Sequence, residues 1–139
     1  MKYGQLILEK KEFVTLKRLL NLSENYKIDT RKYSIKRLSE ELQSAKVVDE
    51  EEFPNDVIRF NSLITVATTD DSWENTFQLV LPSESNAALK KVSILAPMGA
   101  AVMGYAKGDE IEWEFPAGIK TLTIKNVEQE HTNKSEFQL

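Results

Sequence analysis

The most constraining feature of the sequence is a change in hydrophobic period near residue 50. Between residues 10 and 22 the apolar side chains recur every three or four residues, as on one face of an α-helix. These apolar positions are Phe13, Leu16, Leu19 and Leu20. After residue 56 apolar and polar residues alternate, which is typical of half-buried strands. The two periods predict an α+β protein with helices first and a sheet after them.

A second helical run follows a polar stretch over 21–30, with apolar residues at Ile35, Leu38, Leu42 and Ala45. Either Thr30 or Ser34 is suited to cap it. Two short amphipathic helices are unstable alone, so we expect a short N-terminal antiparallel helical hairpin over 9–46. Like charges and a proline in 49–56 end the helical pattern. We therefore predict a helical arm over 1–50 and a second domain over 51–139.

The second part predicts a bent antiparallel β-sheet with one short helix. Strands are expected over 57–60, 62–68, 76–81, 91–96, 110–115 and 120–127. The helix is expected to begin at Pro97 and end at Gly104. Turns are expected at 70–72, 108–109 and 116–118, and fraying is expected from Glu128 onward.

Composition removes several classes of function. With 41% hydrophobic residues the chain can build a core, so general disorder is not expected. The chain has no cysteine and only one histidine, His131, which argues against thiolate or histidine-rich metal sites and against a Ser-His-Asp triad. No cofactor is suggested. No apolar run is long enough for a signal peptide or a membrane span, so we expect a cytoplasmic protein without a membrane partner.

Charge divides the chain unevenly. Residues 1–46 carry eleven basic and six acidic residues, a net charge of +5, whereas 47–139 carry seven and sixteen, a net charge of −9. The basic part is either an ordinary solvated helix surface or a field directed at an anionic partner, and the sequence leaves both readings open. The arm residues concerned are Lys17, Arg18, Arg31, Lys32, Lys36 and Arg37.

Four separated segments carry a resemblance to a known family. They are 56–66, 77–82, 92–104 and 107–118. In this order they resemble the C-terminal domain of the GreA/GreB transcription elongation factors. The resemblance implies an FKBP-like bent sheet around a short helix, with RNA polymerase as the partner. It does not imply prolyl isomerase activity, because Trp113 and Phe115 are better explained as packing residues than as an isomerase pocket.

In that family a long helical hairpin enters the secondary channel of the polymerase and presents acidic residues that hold a catalytic magnesium. The tip pattern Asp-Leu-x-Glu-Asn corresponds here to residues 21–25, Asn-Leu-Ser-Glu-Asn. Asn21 replaces the first acid and is a weaker ligand for a hard cation, which leaves Glu24 alone. Asp29 substitutes only if the loop folds back. A chance match in a polar turn is the alternative reading.

Arm length separates two functions. Helices of about 13 residues extend about 20 Å, whereas the resemblance implies arms more than twice that length in the cleavage factors. This arm is therefore expected to stop short of the polymerase active centre. The chain is therefore similar to the short-armed Rnk group of the family. We predict a regulator that binds polymerase without being an enzyme, without a small-molecule substrate, and near nucleic acid only indirectly. The alternatives are a cleavage factor that uses Glu24 and Asp29, and an interaction module for a non-polymerase protein such as a kinase.

The resemblance also implies that the loop before the short helix touches polymerase. The corresponding residues are Ala96, Pro97 and Met98, of which only the proline matches the family motif. Pro97 stiffens the loop and Met98 offers an adaptable apolar contact. The alternative is a plain first-turn proline followed by a core methionine. No catalytic residue and no metal ligand is predicted.

Overall fold

The computed structural model describes residues 2–23, 29–115 and 117–129. The α+β class is confirmed, with three α-helices and two sheets in this described part. The N-terminal elements are strand β1 (Ile7–Glu9), helix α1 (Lys10–Ser23), helix α2 (Asp29–Leu42) and strand β2 (Lys46–Val48). The remaining elements are β3 (Ser62–Thr68), β4 (Glu74–Val80), β5 (Lys91–Ser93), α3 (Pro97–Val102), β6 (Glu110–Phe115) and β7 (Gly118–Gln129).

The larger sheet has the strand order β5-β4-β3-β7-β6. Three of its pairings are antiparallel, but β4 and β5 are parallel, so the prediction of an entirely antiparallel sheet is wrong. The physical reason lies in the connection over 81–90. It contains two 3-10 turns that carry the chain back, so that Lys91 lies beside Gln78 and the new strand runs in the same direction as β4.

Several predicted boundaries need correction. The expected strand over 57–60 is a single bridge from Val57 to Ala106, and the 91–96 strand ends at Ser93. In contrast, β7 continues beyond its predicted end, because Glu128 and Gln129 pair with the first residues of β3. Those two residues are therefore ordered strand, and the predicted fraying of the later tail lies outside the described residues.

The small sheet was not predicted. In it β1 and β2 pair in parallel, with Leu8 opposite Val47. The chain therefore leaves the body of the protein, which consists of the larger sheet and α3, at Glu9. It forms α1 and α2 and returns as β2 beside β1. The pairing of β1 with β2 joins the two ends of the helical segment, and the Ile7 amide donates to the Gly104 carbonyl at 3.3 Å, which bonds this base to the segment after α3.

Both helices bury their apolar faces in the same core as the sheet. Leu16 and Leu38 are 0% and 1% exposed. They share one hydrophobic cluster with Phe77, Ile94 and Leu122 from the part of the chain after residue 50. Residues from both sides of position 50 thus contribute to one core, and the division into two domains stays a prediction.

The antiparallel hairpin is not confirmed in its details. A cavity of about 210 Å³ lies between the helices. It is lined by Lys17, Leu20, Asn21, Ser39, Leu42 and Gln43. The second half of α1 therefore lies beside the end of α2, whereas a regular antiparallel pair would place it beside the beginning of α2.

Among the described helices none has the length and apolar character needed to span a membrane.

Candidate functional site

The segment 96–98 forms the entrance to α3 at the end of the sheet. Ala96 is the residue before the helix and has an extended backbone, and Pro97 occupies the first turn. The Ala96 amide donates to the Ser93 carbonyl at 3.0 Å, and the Ala100 amide donates to the Ala96 carbonyl at 2.9 Å. All three side chains of the segment are half-buried. The predicted contact loop is thus held rigidly and is partly accessible.

Gly99 fixes how closely α3 approaches β5. A Cβ at this position would lie 2.1 Å from the Ser93 carbonyl oxygen and 3.0 Å from the Ile94 Cα. Both are backbone atoms, which cannot move aside as a flexible side chain can. The helix start is therefore seated against the backbone of residues 93 and 94 because residue 99 has no side chain.

The last turns of α2 support α3 from the other side. The Arg37 guanidinium donates to the Ala101 carbonyl at 3.2 Å and lies 3.4 Å from the Glu41 carboxylate. The Tyr105 hydroxyl donates to Glu41 at 3.1 Å. Burial, with the nearby Glu41 charge, raises the pKa of the Tyr105 phenol to about 12. The helical segment and the predicted contact loop are thereby connected through one polar network.

A buried arginine joins the start of α1 to the body. Arg59 is 4% exposed. Its guanidinium lies 2.9 Å from Glu12, 2.6 Å from Glu50 and 3.9 Å from Glu9, measured between nitrogen and carboxylate oxygen. It also lies 4.5 Å from the centre of the Phe53 ring. Although burial disfavours its charged form, the hydrogen bonds that Arg59 donates to Glu50 and Glu12 raise the pKa of Arg59.

The acids of this cluster also organise the helix. Glu9 accepts hydrogen bonds from the Lys11 and Glu12 amides at 3.0 and 3.1 Å, so it satisfies two of the free donors at the start of α1. Burial raises the pKa of Glu12 above its usual value, against the opposing hydrogen bond and charge of Arg59. The cluster is therefore a coupled structural unit.

Sequence reasoning missed this cluster because its members are far apart along the chain. Arg59 and Glu12 are separated by 47 residues. The available signal was an arginine placed within the apolar run of Val57, Ile58 and Phe60. A charge in such a run is buried and needs acidic partners, although no pattern identifies which acids provide them.

The predicted arm-tip residues are only partly described. Asn21 is exposed at the end of α1, whereas Glu24 lies outside the described residues. Asp29 begins α2, but its side chain falls outside the described part. Within the described ranges, no group of three or more acidic, histidine or cysteine side chains is arranged to hold a metal ion.

The predicted basic residues divide into two groups. Lys17, Arg18 and Lys36 are exposed on the helices, whereas Arg37 is half-buried and bonded to α3. The side chains of Arg31 and Lys32 lie outside the described residues. Three of the six therefore remain available to face a partner, and Arg37 has a structural role.

The aromatic residues considered for an isomerase pocket are used in packing. Phe115 meets Trp73 edge to face, with ring centres 5.3 Å apart and planes inclined by 74°. Trp113 is half-buried and packs against the main core. These contacts favour the packing interpretation of both residues.

Comparison with known proteins defines the class. A model of the C-terminal domain of GreA/GreB transcription elongation factors matches residues 53–129. The chain therefore belongs to the GreA/GreB family, as the four sequence segments predicted.

Individual relatives and one solved structure extend this comparison. The chain is similar to the regulator of nucleoside diphosphate kinase of Escherichia coli K12, with 36% identity over 84 residues, which cover 60% of this chain and 62% of that protein. It is also 33% identical over 93 residues to GreA of Chloroflexus aurantiacus, covering 67% of this chain and 59% of the relative. The match spans about three fifths of the length of these two curated relatives.

A solved GreA/GreB elongation factor from Nitrosomonas europaea has the same overall arrangement. It superposes with a TM-score of 0.72 at 32% identity, covering 90% of this chain and 98% of that chain. This superposition covers more of the chain than the family model, which matches residues 53–129.

Proposed function

We propose that this protein is a non-catalytic transcription regulator that binds RNA polymerase near the secondary channel. There it modulates elongation or competes with other channel factors, without stimulating RNA cleavage. Membership of the GreA/GreB family supports polymerase as the partner. This role places the protein in the cytoplasm.

The proposal that the protein does not stimulate cleavage rests on the short length of the helices. Both α1 and α2 have 14 residues, which corresponds to about 21 Å of helix. Part of that length is used inside the protein, because Leu16, Leu20, Leu38 and Leu42 are buried in the main core. At most the remaining turns of the two helices extend beyond this core. Asn21, which has an amide where the family pattern has an acid, weakens a magnesium site further.

The rigid loop at 96–98 is the proposed contact with polymerase. Its backbone is held by the hydrogen bond to Ser93 and by the close packing of Gly99 against the backbone of residues 93 and 94. The polar network of Arg37 and Tyr105 supports the other side of α3. A surface that is already ordered loses little conformational entropy when it binds. Ala96 and Met98 offer partly exposed apolar atoms beside the fixed ring of Pro97.

A binding measurement with core RNA polymerase tests this proposal. The full-length chain is expected to be retained by immobilised polymerase, and a full-length Gre factor is expected to displace it. Ala96→Arg places a charged side chain in the loop and is expected to weaken binding about tenfold. Ile119→Arg is the matched control, because Ile119 is 68% exposed and lies in β7, outside the loop.

The outcomes distinguish the proposed contact from its alternatives. The loop contact is supported if immobilised polymerase retains the wild type and Ile119→Arg but not Ala96→Arg, provided that all three proteins unfold at similar temperatures. No binding at micromolar concentration would contradict the proposal. Equal weakening by both substitutions would place the contact elsewhere.

The name of the Escherichia coli relative favours a second candidate, an interaction module directed at a kinase. This function also needs no catalytic residue in the chain. Mass spectrometry of proteins that co-purify with the chain separates the two candidates, since recovery of a nucleoside diphosphate kinase without polymerase subunits would favour the second.

A further inference from the structure

We propose that the free edge of β6 binds an extended, basic segment of a partner protein by strand addition. Strand β6 is the last strand of its sheet, and among the described residues it pairs only with β7. An edge strand presents backbone donors and acceptors that a further strand is able to use. The identity of the occupant follows from the side chains on that edge.

The register shows which backbone groups are free. Phe115 and Gly118 are paired across the two-residue connection 116–117. In such a closing pair the amide of each residue donates to the carbonyl of the other. The bonding alternates along the strand, which makes Trp113 and Ile111 the next residues bonded to β7. The amides and carbonyls of Glu110, Glu112 and Glu114 therefore point away from β7.

The same three glutamates define the charge of the edge. Their side chains are exposed, whereas Ile111 on the other face is buried and Trp113 is half-buried. No ion pair to any of the three is found within the described part of the chain. Three negative charges thus lie along about 14 Å of strand, at the residues whose backbone groups are free.

The negative charge of the β6 edge distinguishes a second copy of β6 from a basic segment as the added strand. A second copy of β6 added in antiparallel orientation would bring glutamates of the two strands together, which is destabilising. A segment in which lysine or arginine alternates with apolar residues places its cations beside the glutamates and its apolar side chains beside Trp113. The acidic edge therefore rejects its own copies and accepts a basic strand.

This surface is separate from the proposed polymerase contact. The loop at 96–98 follows β5, which is the opposite edge strand of the same sheet. Binding of a basic strand to β6 is therefore measurable on the isolated protein. Its failure would leave the polymerase proposal unaffected, and failure of the polymerase proposal would leave this one unaffected.

Titration of the full-length, ¹⁵N-labelled protein with a short peptide of alternating lysine and valine tests the proposal. The amides of Glu110, Glu112 and Glu114 are expected to shift and to exchange more slowly with solvent. A peptide of alternating glutamate and valine is expected not to bind. Glu112→Lys is expected to weaken the affinity roughly fivefold, since attraction becomes repulsion, and Glu84→Lys, at an exposed site outside the sheet, is expected to leave it unchanged.

A proline distinguishes strand addition from adsorption of a cation to an acidic surface. Glu112→Pro removes one outward amide while the bonds of Trp113 and Ile111 to β7 remain, so peptide binding is expected to be lost if the β7 amides keep their shifts. Glu112→Gln removes the charge alone and is expected to weaken binding only in part. The proposal is wrong if the lysine peptide causes no shifts in β6 at millimolar concentration. It is also wrong if Glu112→Lys binds as the wild type does, or if a folded Glu112→Pro protein does.

Discussion

Replacing Arg59 by methionine is the sharpest test of how the helical segment is held on the body. The substitution keeps an unbranched apolar stem but removes the charge that faces Glu9, Glu12 and Glu50. Removal of one partner from a buried ion pair costs about 3–5 kcal/mol, because the other charge stays buried. The side chain of Glu50 is 56% exposed and regains water. We therefore expect a loss near the lower limit, about 3 kcal/mol in the free energy of unfolding.

The loss is expected to depend on pH in a defined direction. Burial already raises the pKa of Glu12 above its usual value, and Arg59 opposes that shift. Without the arginine the pKa of Glu12 rises further. A carboxyl whose pKa is higher in the folded than in the unfolded state destabilises the fold above that pKa, and this penalty disappears as the pH falls. Arg59→Met should therefore recover part of its stability between about pH 7 and about pH 5.

Urea unfolding of wild type and variant at the two pH values measures both effects. Lys125→Met is the matched control, because Lys125 pairs with Asp71 at 3.1 Å in an exposed position. Lys125→Met is expected to lower the free energy of unfolding by no more than about 0.5 kcal/mol. The reasoning is refuted if Arg59→Met costs less than about 1 kcal/mol, or if its cost is the same at both pH values.

Two further predictions concern the support of α3. Gly99→Ala forces a methyl group onto the Ser93 carbonyl and is expected to cost about 1–3 kcal/mol in urea unfolding, and an unchanged midpoint would contradict the close approach. Tyr105 has a pKa of about 12, raised from 10.0, so its phenol ionises first in the unfolded chain. Stability is therefore expected to fall between about pH 10 and pH 12, and Tyr105→Phe should remove part of that slope, as unfolding followed by circular dichroism would show.

The sequence predicted those elements whose signals are local. The alternation in 62–68 and 110–115 predicted β3 and β6 with correct bounds, and Pro97 marked the start of α3. Each of these signals lies within the residues that form the element. The family resemblance rested on the same local segments and was confirmed by the match over 53–129.

Elements that depend on distant partners were not predictable. The β1–β2 pair has three residues in each strand and is made by segments almost 40 residues apart, so neither strand shows alternation. The parallel direction of β5 is decided by the path of the 81–90 connection. The residues 57–60 have strand composition, but the backbone of Ile58 bonds to the segment after α3 and Arg59 turns toward the glutamates. Tertiary contacts override the local pattern in all three cases.

The candidate site shows the same division. Ala96, Pro97 and Met98 were proposed as a contact by resemblance, which stays a prediction, and the structure adds the backbone hydrogen bonds that hold their loop. Arg37 was grouped with the solvent-facing basic residues, yet it bonds to Ala101 in α3. A helical pattern shows which face is polar, but it does not show which polar side chain meets another element.

The rate of transcript shortening in stalled elongation complexes tests the central claim most directly. The protein alone is expected to leave transcript length unchanged, and increasing amounts are expected to slow the shortening caused by a cleavage-competent Gre factor. Shortening by the protein alone, lost on Glu24→Ala, would contradict the account, because it would show that these helices reach the catalytic centre with a working acid.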